Sequence, residues 1–249
     1  MSTTKGAPDG ASGPAARAAI TPATGLDARL VERWIAEVDR RLRAAESHLT
    51  ELDAAIGDAD HGTNMTRGAR AAVAAVADTV GAEGSGGESR QAGPTTPTTA
   101  ARLVMAIGHS LSRSIGGASG PLYGTWFSAL GRVLPETDAA TPLELATALR
   151  AALDAVQQLG AAEVGDKTMV DALAPASRQA HEVASSGADL AGMLRIAAGA
   201  AEDGAIATIP LRARRGRASY LGARSEGHQD PGATSAAILL DALRTAAGA

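Results

Sequence analysis

Apolar residues recur at three- and four-residue intervals from Leu26 through Leu30, Trp34, Val38, Leu42, Ala45, Leu49 and Leu52 to Ile56. One continuous stripe at that period specifies a long amphipathic helix with a single buried face. The stripe delivers Asp53 to the helix C-terminal end, where Gly57 breaks the period and lets Asp58 and Asp60 project from a loop. Residues 53 to 64 thus bring together three carboxylates, His61 and Asn64.

Carboxylates held that close repel one another by several kcal/mol at low dielectric, which a bound cation or raised pKa values must relieve. Oxygen ligands favour hard divalent ions such as Mg²⁺, Ca²⁺ or Mn²⁺. A calcium loop of the EF-hand type closes on a glutamate, where this chain has Asn64 counted from Asp53 and Ala69 counted from Asp58. Magnesium bridging to phosphate fits better. The competing reading is that Asp58 or Asp60 caps the helix that begins near Asn64.

The remaining elements also read as helices. The periodicity predicts them over 64–80, 99–115, 121–134, 141–159, 168–185 with an interruption at Pro175, 190–213 with Pro210 late in it, and 232–246. Pro142 and Glu144 suit a first turn. No stretch alternates with period two, so the fold class is all-α, in one domain over 26–249. Residues 1–25 read as a disordered arm and 81–99, rich in Gly, Pro and Thr, as a flexible loop. Two lysines against twenty-one arginines, abundant alanine and few aromatics indicate helices around a core of small residues.

The net charge of −4 gives no support for nucleic-acid binding, and no basic run is longer than the arginine cluster between Arg212 and Arg217. No segment has the length and apolarity of a membrane span, and the N-terminus has no apolar core like that of a signal peptide. The absence of cysteine fits a reducing cytoplasm.

Three further stretches carry chemistry. Residues 116–120, GGASG, join two helices and offer backbone N–H groups to an anion, or simply pack closely. In 165–171, GDKTMVD, Asp166 or Thr168 can cap a helix, while Met169 can line a planar base or fill the core. The long loop 214–231 holds Arg217, suited to phosphate or to solvent, and Asp230, an acceptor for sugar or base. His48, His109 and His181 lie in helical stretches without neighbouring carboxylates and are given no role.

In order, IGDADHG with upstream Asp53, GGASGPLYGT, GDKTMVDAL, GRASYLG and GHQDPGATS resemble the ADP-binding L subunit of dihydroxyacetone kinase and the nucleotide domain of single-chain ATP-dependent dihydroxyacetone kinases. The resemblance covers the chain from about Leu26 onward. It implies an antiparallel eight-helix barrel with the nucleotide at one end. Asp53, Asp58 and Asp60 would hold the magnesium ions, two of them, that bridge the phosphates of ADP or ATP. His61, Gly62, Thr63, Asn64, Ala118 and Ser119 match phosphate-side contacts, Gly160 and Met169 lie near the adenine, and Arg217, Asp230, Pro231 and Gly232 complete the pocket.

The family holds dihydroxyacetone covalently on a histidine of a separate K subunit or domain, for which this sequence has no counterpart. The expectation is a phosphotransferase subunit working with that K subunit, with ADP as a bound carrier recharged by a phosphotransfer-system protein. Two alternatives remain: an ATP-using kinase component for another short ketose, and a non-catalytic nucleotide-dependent switch read by a regulator protein. Longer segments at 1–25 and 81–99, Ala223 in place of an acidic residue, and Pro210 within an expected helix depart from the family pattern.

Overall fold

The computed structural model describes residues 23–84 and 98–249. Most of the expected 1–25 arm and most of the 81–99 loop fall outside them. The described residues form eight α-helices: α1 Ala28–Ile56, α2 His61–Gly84, α3 Ala100–Ser114, α4 Ser119–Val133, α5 Pro142–Gly160, α6 Met169–Ser185, α7 Leu190–Ala207 and α8 Pro231–Ala246. A kinked 3-10 segment, Arg217–Ser225, precedes α8. Each helix packs on the next in sequence, and α8 packs on α1. None of the described helices is long and apolar enough to cross a membrane.

Local chemistry sets most of the helix starts. Asp27, Thr99, Asp189 and Asp230 each accept an N–H of the first turn from their side chains, at the heads of α1, α3, α7 and α8. Thr141 with Glu144, and Thr168 with Asp171, form reciprocal capping boxes on α5 and α6. Asp166, the other capping candidate, instead accepts the Glu163 N–H and closes the turn before α6.

Four departures from the sequence reading have physical causes. Leu26 does not start α1; Leu26 and Asp27 pair antiparallel with Ala140 and Ala139 as two short strands, β1 and β2, a contact across more than a hundred residues that has no local period. α2 begins at His61 rather than near Asn64 and continues to Gly84, past the expected end at Val80, because alanine and threonine sustain a helix that glycine only weakens. α6 is not interrupted at Pro175. The Asp171 carbonyl, which loses its usual partner there, faces Gly204 of α7 so closely that a Cβ on Gly204 would lie 2.3 Å from it. α7 stops at Ala207, three residues before Pro210, and not at 213.

The core runs along the inward stripes of the helices. Trp34 of α1 and Trp126 and Phe127 of α4 are buried in mutual ring contact, and small residues such as Ala101, Ala146, Ala172 and Ala201 let helices approach around them. The buried face of α1 includes Leu30, Trp34, Val38, Leu42, Leu49 and Ile56, as its periodicity requires, while Ala45 and Leu52 are partly exposed at its margin.

Candidate metal and phosphate site

α1 and α2 meet at the loop 57–60. Asp53, buried on the last turn of α1, turns its Oδ2 toward the start of α2 and accepts the backbone N–H groups of Asp60 (2.9 Å) and His61 (3.2 Å). The head of α2 is therefore capped by a carboxylate from the preceding helix, not by the side chain of Asp58 or Asp60 as the capping alternative had it. Ala59 sits at φ +61°, a left-handed conformation that costs a non-glycine residue energy. Between them, these features bring one carboxylate oxygen from each of Asp53, Asp58 and Asp60 within 4.8 Å of one another. Asp58 and Asp60 are exposed, so the cluster has one buried and two open members.

All-oxygen donors in a cluster open on one side are the donor set a hard divalent cation takes, with water or phosphate filling the remaining positions. The residues fit magnesium.

Beside the cluster lies a cavity of about 500 Å³. Its wall includes Asp53, Asp58, Asp60 and His61, the turn from Gly116 to Ser119, and Arg217 with Asp230, Pro231 and Gly232. Gly160 and Met169 also line it, together with Leu122, Val156, Leu159 and Ala162. The wall thus combines an acidic and polar part with an apolar part.

α4 begins on this cavity without any side-chain cap, since Ala118 stands at the N-cap. Gly117 takes φ +64°, and a Cβ there would meet nothing within 4 Å. The first-turn N–H groups of α4 are left for an anion to accept, with the helix dipole behind them.

His61 is buried, its Nε2 2.9 Å from Ser235 Oγ and its Nδ1 3.4 Å from Ser119 Oγ. Burial lowers its pKa from the ordinary imidazole value, opposed by the Asp53 and Asp60 carboxylates. Ser235 Oγ is also 2.6 Å from the hydroxyl of Tyr123, a buried phenol whose pKa desolvation raises. Arg217 is largely exposed, and its Nε lies 3.2 Å from Asp58 Oδ2. A pair open to solvent to that degree adds little stability, but it holds a guanidinium at the rim of the acidic cluster.

Three of the sequence candidates do not reach the cavity. Gly62 packs against α1, where a Cβ would lie 2.1 Å from the Glu46 carbonyl oxygen. Thr63 points outward and donates to Glu46 Oε1. Asn64 lies beneath Gly116 and accepts from Arg67 Nη2. A helix turns about 100° per residue, so of these four neighbours only His61 faces the site.

The fold also places Tyr123, Ser235 and Lys167 here, residues to which motif and spacing give no role. Lys167 is fully buried, with burial lowering its pKa and Asp230, Asp171 and Glu226 opposing that shift.

Asp230 caps α8 through the Ala233 N–H, and burial pushes its carboxyl up to about 7, with Asp171 and Asp53 adding to the shift and Lys167 opposing it. The unfolded carboxyl titrates near 3.8. Between those values the folded state binds the extra proton, so this group's contribution to stability is full at low pH and is lost as pH rises through 7. Asn can still cap the helix. The stability of Asp230→Asn relative to the parent, from urea unfolding, should therefore be higher at pH 8 than at pH 5, by about 1 kcal/mol or more. An unchanged difference would mean that Asp230 is ionised throughout.

Comparison with known proteins identifies relatives of this chain. The model of the DAK2 domain matches residues 55–245. The ADP-binding subunit DhaL of the PEP-dependent dihydroxyacetone kinase of Escherichia coli (strain K12) is 37% identical over 217 residues, spanning 87% of this chain and 96% of its own length. L-erythrulose 1-kinase of Mycolicibacterium smegmatis is 38% identical over 201 residues, 80% of this chain but 32% of that larger protein. The crystal structure of the dihydroxyacetone kinase from C. freundii in complex with AMP-PNP and Mg²⁺ aligns with a TM-score of 0.60 at 27% identity, over 98% of this chain and 38% of that one. The chain belongs to the DAK2-domain family, together with the ADP-binding subunits of dihydroxyacetone kinases.

Proposed function

We propose that this chain is the nucleotide-binding subunit of a dihydroxyacetone kinase, a phosphotransferase acting on an alcohol group. The observation that carries the reading is the convergence of Asp53, Asp58 and Asp60 with the uncapped start of α4 on one cavity. In this reading the sequential packing of α1 to α8, closed by α8 on α1, is the antiparallel eight-helix barrel of the family, with the nucleotide at the end where the 57–60, 116–119 and 214–232 loops gather.

Two Mg²⁺ ions held by the triad would neutralise the phosphates of ADP or ATP and stabilise charge on the transferring group. The α4 N–H groups and Ser119 orient the phosphates, with Arg217 reaching them from the rim. The apolar wall around Gly160 and Met169 takes the base. Asp230, Pro231 and Gly232 close the far side. The phosphoryl group is then presented at the mouth to dihydroxyacetone carried by a partner K subunit. The PEP dependence named for the E. coli relative, matched over 96% of its length, supports ADP as a bound carrier recharged by a phosphotransfer-system protein rather than ATP exchanged at each turnover.

A related short ketose as acceptor is the second reading, favoured by the 38% identity to an erythrulose kinase. Both readings share one first test. Mg²⁺ with ADP at about a hundred times its Kd should add about 2.7 kcal/mol of stability, raising the melting temperature by roughly 5–10 °C, and chelation should abolish the rise. Phosphorylation of dihydroxyacetone or erythrulose with a K subunit, supplied with phosphoenolpyruvate and phosphotransfer proteins or with ATP, then separates acceptor and donor. A protein unmoved by either nucleotide in Mg²⁺ would defeat the proposal.

A further inference from the structure

Two chain segments that build the cavity wall beside Met169 are mostly loop, the first ending at the start of the 3-10 segment and the second running into the first turn of α8. Residues 208–217 follow α7 and bring Arg215, Gly216 and Arg217 to the cavity, and residues 228–232 bring Asp230, Pro231 and Gly232. Loops of that length need an anchor if they are to hold a ligand in one geometry.

Lys167 supplies it. Its backbone sits at φ +63°, and its ammonium is aimed away from solvent into a cage of backbone carbonyl oxygens. Nζ donates to Thr208 O at 2.7 Å, Leu211 O at 3.1 Å and Ile209 O at 3.4 Å, and also to His228 O. The first three belong to one segment and the fourth to the other. Around this centre Asp230 N–H donates to Thr208 Oγ1 (2.9 Å) and Gly227 N–H to Ile209 O (2.8 Å). From the neighbouring residue, the Asp166 carbonyl accepts the Arg214 N–H (3.0 Å), and its carboxylate accepts from Arg215 Nε (3.2 Å). A compact ammonium can satisfy several carbonyls converging on one point, as a guanidinium cannot. This explains a lysine here in a chain whose cations are otherwise almost all arginine.

We propose that Lys167 is a positioning residue for the nucleotide, locking segments 208–217 and 228–232 to the start of α6 so that Arg217 and Asp230 face the cavity in fixed register. The proposal rests on the nucleotide-binding reading above. It distinguishes Lys167 from a lysine that merely stabilises the fold, because the anchored segments line the cavity while the metal triad lies on α1 and the 57–60 loop, outside the cage.

The test compares the parent, Lys167→Met and Thr208→Val, each at a temperature well below its own melting point. Three readouts are needed: affinity for a fluorescent ADP derivative in Mg²⁺, affinity for Mn²⁺ alone by electron paramagnetic resonance, and melting temperature. Lys167→Met should weaken ADP binding by about tenfold or more while Mn²⁺ affinity stays within about twofold. Thr208→Val keeps the carbonyl that Lys167 uses but removes the acceptor of the Asp230 N–H. It should weaken ADP binding by about three- to tenfold, and it decides the matter if Lys167→Met does not fold. Unchanged ADP affinity in the folded variants, or equal losses of ADP and Mn²⁺ affinity, would overturn the positioning role while leaving the function reading in place. A parent protein that binds no nucleotide would overturn both.

Discussion

Asp58→Asn should lower the affinity for Mn²⁺ alone, and for ADP in Mg²⁺, by about 30- to 100-fold while moving the melting temperature by no more than about 2 °C. Asp58 is exposed, and its ion pair with Arg217 is open to solvent, so neither packing nor that pair contributes much to the fold. Its worth lies in the charge it adds to a cluster whose oxygens lie within 4.8 Å of one another. Removing one of three ligand charges costs the cation roughly 2–3 kcal/mol, which is the stated factor. Asp53 differs. Because it also accepts the N–H groups of Asp60 and His61, Asp53→Asn should lose loop geometry as well as charge. Calorimetric titration of Mn²⁺ into both variants checks the contrast. An Asp58 variant that binds Mn²⁺ as tightly as the parent would remove this residue from the ligand set.

The parts of this molecule legible in the sequence are those governed by local rules. The α1 stripe, the delivery of Asp53 to its end, the loop at Gly57 and the Thr141 and Thr168 starts each depend on residues within one or two turns, and each stands in the structure. So does the gathering of distant motifs at one cavity, although there the family resemblance, not periodicity, brought 53–61, 116–119 and 217–232 together in advance. What stayed hidden depends on partners far along the chain. The Lys167 carbonyl cage reaches 41 and 61 residues away, and the Tyr123–Ser235 contact 112. The nearest sequence signal is compositional: a lysine in an arginine-rich chain, two residues after a glycine and directly before a capping threonine.

The candidates at 62–64 stand off the cavity for a different reason. A motif names consecutive residues, but a helix spends consecutive residues on different faces, so adjacency to His61 is a poor guide to sharing its cavity. Gly62 is there because α2 crosses α1 with no room for a side chain. Asn64 lies beneath the glycine turn, its Oδ1 accepting from Arg67.

The core and the site should be separable by mutation. Trp34→Ala removes the centre of the aromatic cluster, in which Trp34 is 0% exposed, lies 5.3 Å from Phe127 and 6.3 Å from Trp126 by ring centroid, and donates its indole N–H to Leu239 O at 2.9 Å. A truncation of that kind costs about 3–5 kcal/mol through lost burial and a residual cavity, with the ring contacts adding about 1 kcal/mol. For a chain of this size that lowers the melting temperature by roughly 10–15 °C. Trp34→Phe, which keeps an aromatic ring but gives up the hydrogen bond, should cost less than half as much. Yet Trp34 stands nineteen residues before Asp53 on the same helix, about 28 Å along its axis, and lines no part of the cavity. Well below its melting point, Trp34→Ala should therefore bind Mg²⁺ and ADP within about threefold of the parent, because rigid helical packing between the two leaves the loop geometry unchanged. Thermal unfolding and nucleotide titration on the same preparation test both halves. A loss of affinity in step with the loss of stability would show that the aromatic centre sets the spacing of α1 against α4 at the cavity itself, and that core and site are one cooperative unit.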